Sequence, residues 1–167
     1  MNKRIIIIFS ALLALAPLRA LQAAEVGKTA PACKLQAIDK PLQVDLQQFR
    51  GKVLYLDFWA SWCPPCAESF PFMNRLRGEL KESDFDIVTI NMDQASEEAK
   101  DFLAKYPADF AVVADINEQC AKAFDVKAMP SSYLIDRNGV VRHVHLGFHA
   151  GDEQQIKAAV TQLLAER

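Results

Sequence analysis

The chain has 167 residues, 51% of them apolar, which is enough for one domain with a sizeable core and too few for two ordinary ones. Its formal charge of -2 hides an asymmetry: Lys3, Arg4 and Arg19 lie in the first 24 residues with no acid among them, leaving 16 basic against 21 acidic residues in the remainder. A mildly acidic body without a basic patch excludes nucleic acid and anionic lipid as expected partners.

Residues 1–24 read as an export signal. Lys3 and Arg4 precede an apolar stretch from Ile5 to Leu18, and a run rich in small residues follows up to Ala24. Cleavage near Ala23 or Ala24 leaves residues 25–167 as one domain, expected in the periplasm if the source is bacterial. The alternative is an uncleaved N-terminal anchor, although 14 apolar residues fall short of the roughly 20 that a bilayer span needs. No cysteine follows the stretch at the distance a lipid anchor requires.

Residues 25–45 carry Pro31, Pro41 and short apolar alternations, the pattern of an irregular lead-in with a small hairpin. Residues 53–59 are almost continuously apolar and β-favouring, as in a buried central strand, with Arg50-Gly51-Lys52 as the turn before it. The strand runs into Trp62-Cys63-Pro64-Pro65-Cys66, which opens a helix recognisable over 68–80 from Phe72, Leu76 and Leu80 at helical spacing; Pro71 is expected to kink it. A strand over 85–92 follows, then a helix over 95–106 stopped by Pro107. A short strand over 110–114 leads to a short helix over 117–124, which Asp115 or Asn117 is placed to cap.

After Met129-Pro130, two β-favouring runs, 131–135 and 140–146, flank Asp136-Arg137-Asn138-Gly139; Asn-Gly between such runs predicts a hairpin. A helix over 151–166 closes the chain, with Ile156, Val160, Leu163 and Leu164 on its inner face. Strands alternating with helices, then a hairpin and a last helix, spell an α/β sandwich with a mixed central sheet flanked by helices.

Two cysteines separated by two residues close a small disulfide ring. At a helix start, unpaired backbone N–H groups and the positive dipole end stabilise the thiolate of the first. A thiolate attacks a partner disulfide, forming a mixed disulfide that the second thiol resolves. Cys63 is the candidate attacker and Cys66 the resolver. The same spacing is also half of a zinc site, but no second C-x-x-C or His-x-x-x-His accompanies it.

With Gly51-Lys52-Val53, Phe58-Trp59-Ala60-Ser61-Trp62-Cys63-Pro64-Pro65-Cys66, Pro71, Met129-Pro130, Tyr133-Leu134-Ile135-Asp136 and Gly139 in order, the chain resembles the TlpA/ResA-like branch of the thioredoxin superfamily. That branch includes reductases serving cytochrome c maturation. The likeness covers roughly Val26 to the C-terminus. It implies a thioredoxin-like fold with an N-terminal extension and an inserted αβ element, and a thiol-disulfide oxidoreductase whose only redox group is the Cys63–Cys66 pair, with no cofactor. Protein disulfides are the implied substrates and a membrane protein the implied electron donor. Nothing in the sequence adds a dimerisation region, so a monomer is expected.

The resemblance also implies that Pro130 follows a cis peptide bond beside the pair, with Met129 offering its backbone to substrate. Trp62, Pro64, Pro65, the loop at Gly147, and Phe148 are expected to complete a shallow apolar contact, while Trp59 belongs in the core. Asp57 falls inside the apolar strand, where an unpaired acid is costly. Thioredoxins proper have a buried acid at the matching place that moves protons to and from the resolving cysteine, and desolvation fits Asp57 for that role. Many members of the branch instead carry a glutamate three residues after the second cysteine; that position here is Ser69, and the neighbouring Glu68 is expected on the surface.

Cys33 and Cys120 stand outside the motif. In an oxidising compartment an even leftover pair predicts a structural disulfide pinning the lead-in to the domain; two buried free thiols or a second redox relay are the alternatives. His143, His145 and His149, within seven residues, raise a copper or zinc site. Three functions remain open: a disulfide reductase, a disulfide oxidase or isomerase, and a copper-handling assembly factor. An oxidase of the DsbA type needs a helical insertion that the elements here are too short to supply.

Overall fold

A computed structural model describes residues 24–81 and 83–166, so the export signal expected over 1–24 lies outside the described residues except at Ala24. The elements run β1 (Lys34–Ala37), β2 (Gln43–Asp45), a 3-10 turn (Leu46–Phe49), β3 (Val53–Trp59), α1 (Pro64–Glu79), β4 (Phe85–Asn91), α2 (Ser96–Lys105), β5 (Ala111–Ala114), α3 (Gln119–Phe124), β6 (Ser131–Ile135), β7 (Val141–Leu146) and α4 (Asp152–Ala165). The strands form one sheet in the order β2-β1-β5-β4-β3-β6-β7. β3, β4 and β5 run parallel, and the remaining pairings are antiparallel.

β3 is buried at all seven positions, as its unbroken apolar run requires of a strand covered on both faces. Its alternation divides the core. Leu54, Leu56 and Phe58 pack with α3 and the lead-in; Val53, Tyr55 and Trp59 pack with α1, α2 and α4. Asp57 shares the second face by parity. There Trp59 lies 4.9 Å from Phe70 and 4.6 Å from Phe102, ring centroid to ring centroid, so aromatic contacts tie α1 and the inserted α2 to the strand that carries the motif.

Three local features sharpen the sequence expectations. The motif opens α1 as expected, with Pro64 and Pro65 in its first two positions and Cys63 capping it, ahead of the apolar spacing recognisable from Glu68. That first turn has no apolar stripe to betray it, although proline suits it. The helix continues through Pro71, which lies on its exposed side. At α3 the N-terminal flanking residue is Glu118, left-handed at φ 53°. The Ala121 N–H is taken by Asp115 Oδ2 at 2.8 Å, reaching across six residues, and not by Asn117.

The β6–β7 connection is a tight turn in which Gly139 N–H donates to Asp136 O and Gly139 adopts φ 72°. A side chain at that φ would be strained, which is what Gly supplies after Asn138. The lead-in joins the sheet at both ends. β1 extends it antiparallel to β5, while Thr29 bridges Val140 and Ala30 N–H bonds Gly139 O beside the β6–β7 turn. Since β6 runs antiparallel to β3, that turn lies at the opposite end of the sheet from the cysteines.

Candidate active site

The parallel strands β3 and β4 end together at Trp59 and Asn91, and the loops leaving them build the site. The Ser61 N–H reaches both carboxylate oxygens of Asp93 at 3.1 Å, and Ser61 Oγ donates to Oδ1 at 3.1 Å. Asn91 Nδ2 donates to Asp93 Oδ2 at 2.7 Å. The approach to the cysteines is thereby fixed two residues upstream of Cys63.

Cys63 and Cys66 are joined as a disulfide and are 4% and 0% exposed. Cys63 Sγ accepts the Cys66 N–H at 3.3 Å. A capping side chain normally finds donors at the second and third helical positions. Pro65, at the second, has none to give, so the Cys66 N–H at the third alone serves the sulfur. Ser69 is buried and its hydroxyl donates to Cys66 O at 2.9 Å, while Glu68 is exposed. The branch's usual glutamate position is therefore filled by a hydroxyl already engaged with backbone.

Asp57 is fully buried on the same face as the pair. Ser132 Oγ donates to its Oδ1 at 2.6 Å, Tyr55 Oη lies 3.2 Å from Ser132 Oγ, and Asp57 Oδ2 has no partner. Burial pushes the carboxyl up from 3.8 to about 7, with the Ser132 bond opposing. Tyr55 is raised above its ordinary value by burial and by the charge of Asp57.

The Met129–Pro130 bond is cis. Pro130 is buried, Met129 packs partly buried on the cluster that contains both cysteines, and Pro130 O accepts the Gly147 N–H at 2.9 Å. Gly147 holds φ 80°, which lets the loop double back onto Pro130. Trp62 is 67% exposed, Pro64 is exposed and Pro65 half-buried. Trp62, Cys63, Pro64, Phe102 and Tyr106 line a groove of about 460 Å³ between the cysteine loop and α2. Phe148, expected at the surface, is instead buried against Phe72 at 5.6 Å, so the apolar surface beside the pair is carried by Trp62 and the inserted helix.

Cys33 and Cys120 are bonded across 87 positions, tying the lead-in to α3. His145 Nε2 lies 3.0 Å from Asp152 Oδ2, which also accepts the His149 N–H at 2.6 Å. Partial desolvation opposes it, but these bonds hold the Asp152 carboxyl below its ordinary value. Among the described residues no group of three or more His, Cys, Asp or Glu is arranged to hold a metal ion, and no helix is long and apolar enough to cross a membrane.

Sequence reasoning missed Asp93 and Ser132. Asp93 closes the strand over 85–92 and reads there only as a turn residue. Ser132, immediately after Pro130 and Ser131, becomes visible once β6 is set antiparallel to β3 with Asp57 opposite it.

A model of the redoxin family matches residues 25–161. A ResA thiol-disulfide oxidoreductase of Bacillus thuringiensis subsp. konkukian is 33% identical over 117 residues, covering 70% of this chain and 67% of the relative. One from Geobacillus kaustophilus is 33% identical over 125 residues, covering 75% and 71%. A crystal structure from Chlorobium tepidum, assigned to thiol:disulfide interchange protein DsbE, superimposes with a TM-score of 0.82 at 40% identity, over 86% of this chain and all of that one.

Proposed function

The chain belongs to the redoxin family and is a thiol-disulfide oxidoreductase acting on proteins, and from that premise we propose that it works as a disulfide reductase outside the cytoplasm. The likeness to ResA and DsbE proteins and the export-like N-terminus support the periplasm as its compartment. The same likeness supports paired cysteines of maturing c-type cytochromes as its substrate class.

The observation that carries the direction is the first turn of α1. A strong oxidant of this chemistry owes its potential to a heavily stabilised reduced form, its thiolate above all. With Pro65 removing one of the two usual N–H donors, Cys63 Sγ draws on the Cys66 N–H alone. A less stabilised thiolate makes a better electron donor.

In the proposed cycle the Cys63 thiolate attacks one sulfur of the substrate disulfide and expels the other as thiolate. The Cys66 thiol passes its proton to Asp57, whose raised value suits a group that accepts and returns it near neutral pH. The Cys66 thiolate then attacks Cys63 Sγ and releases the second substrate thiolate. Two electrons have moved to substrate, and the Cys63–Cys66 disulfide awaits two from a membrane donor. Met129, ahead of the cis Pro130, and the Gly147 loop flank the attacked sulfur; Trp62, Pro64 and Pro65 supply the apolar contact. The protein acts as a monomer, with no redox group besides the pair.

The test is the equilibrium reduction potential of Cys63–Cys66 in a thiol redox buffer. A value near about -270 mV, that of thioredoxin, supports the reductase; one near about -120 mV, that of DsbA, reverses the direction and keeps the chemistry. Cys66→Ser should accumulate mixed disulfides through Cys63, and their absence would refute the exchange cycle.

A further inference from the structure

Four polar side chains lie abreast across the sheet, one per strand. Thr89 on β4 is in register with Asp57 on β3, Asp57 with Ser132 on β6, and Ser132 with His145 on β7. Directly opposed residues share a face of a sheet, so the row runs along the face covered by α1 and α4. It begins in the core and ends on the edge strand, where His145 meets Asp152 at the start of α4. Thr89 and Asp57 are 0% exposed, and their Oγ1 and Oδ2 lack partners. The one hydrogen bond to the Asp57 carboxyl comes from Ser132.

Beyond Ser132 the packing opens. Ser132 and Tyr55 line a cavity of about 120 Å³ between β6, β7 and α4, whose other walls include His143, His145, Gln155 and Ala159. At roughly 30 Å³ per molecule it has room for about four waters, and Tyr55 Oη, Ser132 Oγ, the two imidazoles and the Gln155 amide give them partners.

We infer that this row is a proton route: Ser132 and the cavity carry the proton taken from Cys66 out of the core to the edge of β7 at His143 and His145. The inference rests on the reading of Asp57 as the acid–base group and names how that group exchanges with solvent. The two carboxyl oxygens divide the work. Oδ2, unpartnered, receives the proton as the Cys66 S–H bond breaks. The neutral carboxyl turns about its soft terminal torsion, its O–H then donates to Ser132 Oγ, and the Ser132 hydroxyl proton passes to cavity water. The net change is one S–H bond broken and one proton delivered to water, with Asp57 returned as carboxylate. The charged and titratable groups facing Asp57 are Tyr55 on its own strand, the cysteine pair on α1, His143 and His145 on β7 and Asp152 on α4; β4 presents Thr89 and β6 Ser132, neither ionisable.

The test uses the reduced protein and the aromatic disulfide dithiobis(nitrobenzoate), which releases one coloured thiolate when Cys63 attacks and a second when Cys66 closes the ring. Ser132→Ala removes the relay hydroxyl, Ser132→Thr restores it, and Ala159→Leu fills the cavity without touching the Ser132–Asp57 bond. Ser132→Ala and Ala159→Leu should each slow the second release about tenfold, less than the roughly 100-fold or more of a whole acid–base contribution because Asp57 itself remains, with a changed pH profile and solvent isotope effect on that step. Ser132→Thr should recover it. Both slowed variants releasing the second thiolate at the parent rate and pH profile, while Asp57→Asn slows it, would overturn the route and leave the role of Asp57 standing. If Asp57→Asn also releases it at the parent rate, the acid–base reading and the route fail together; if no first release is seen, the exchange chemistry itself fails.

Discussion

Ser61 and Asp93 are 32 positions apart, yet the Ser61 N–H is shared between both oxygens of the Asp93 carboxylate at 3.1 Å each. The carboxylate of one strand's exit loop thus positions the other strand's exit loop just before Cys63, while Asn91 holds the carboxylate in turn.

Asp93→Ala should lower the unfolding free energy of the oxidised protein by about 2 kcal/mol, the range for hydrogen bonds to a charged group. Asp93→Asn keeps one acceptor oxygen and should lose less. Urea denaturation of the three proteins checks the order, and a rate of attack by Cys63 that falls in the same order ties the clamp to the site.

Burial raises Asp57 from 3.8 to about 7, so between those values the folded protein holds a proton that the unfolded chain has released. Stability contributed by the neutral carboxyl is complete below 3.8 and is lost as pH rises toward about 7. The parent should therefore lose on the order of 4 kcal/mol across that window, whereas Asp57→Asn should lose none of this contribution and be relatively more stable at pH 8 than at pH 4. Denaturation of the oxidised forms at the two pH values measures the difference, and parallel slopes would rule out the burial argument.

The Cys33–Cys120 bond closes a long loop, from the lead-in to α3. By loop entropy the double replacement Cys33→Ser, Cys120→Ser should cost about 4 kcal/mol of stability while Cys63 and Cys66 remain reducible. Alkylation of the unreduced parent followed by mass spectrometry should find no free thiol at either position.

Trp62 is exposed beside Cys63, with the groove toward α2 at its side. Trp62→Ala should lower kcat/KM for a protein disulfide about fivefold, corresponding to roughly 1 kcal/mol of lost contact, with a smaller effect on a small aliphatic disulfide. Equal losses for both would place Trp62 in the chemistry rather than in recognition.

The run from Val53 to Cys66 was legible because its signals are local: a buried strand is continuously apolar and a redox pair is two residues apart. The β6–β7 hairpin was legible for the same reason through Asn138-Gly139. What stayed hidden depends on register. Nothing near Ser132 in the sequence says that it faces Asp57; the antiparallel pairing of β6 with β3 does. The sequence left the cap of α3 between Asp115 and Asn117, and only the fold shows that Asp115 reaches past Asn117 to Ala121; Phe148 was misplaced because its partner Phe72 lies on α1, 76 positions earlier. An apolar residue in a loop does not disclose which helix will cover it.

The lead-in meets the body beside the β6–β7 turn, where Gly27 N–H bonds Val141 O and Thr29 bridges Val140, and this is the pole away from Cys63. Any surface that held the chain by the residues before Ala24 would therefore grip it from behind. The cysteines would look outward from that surface.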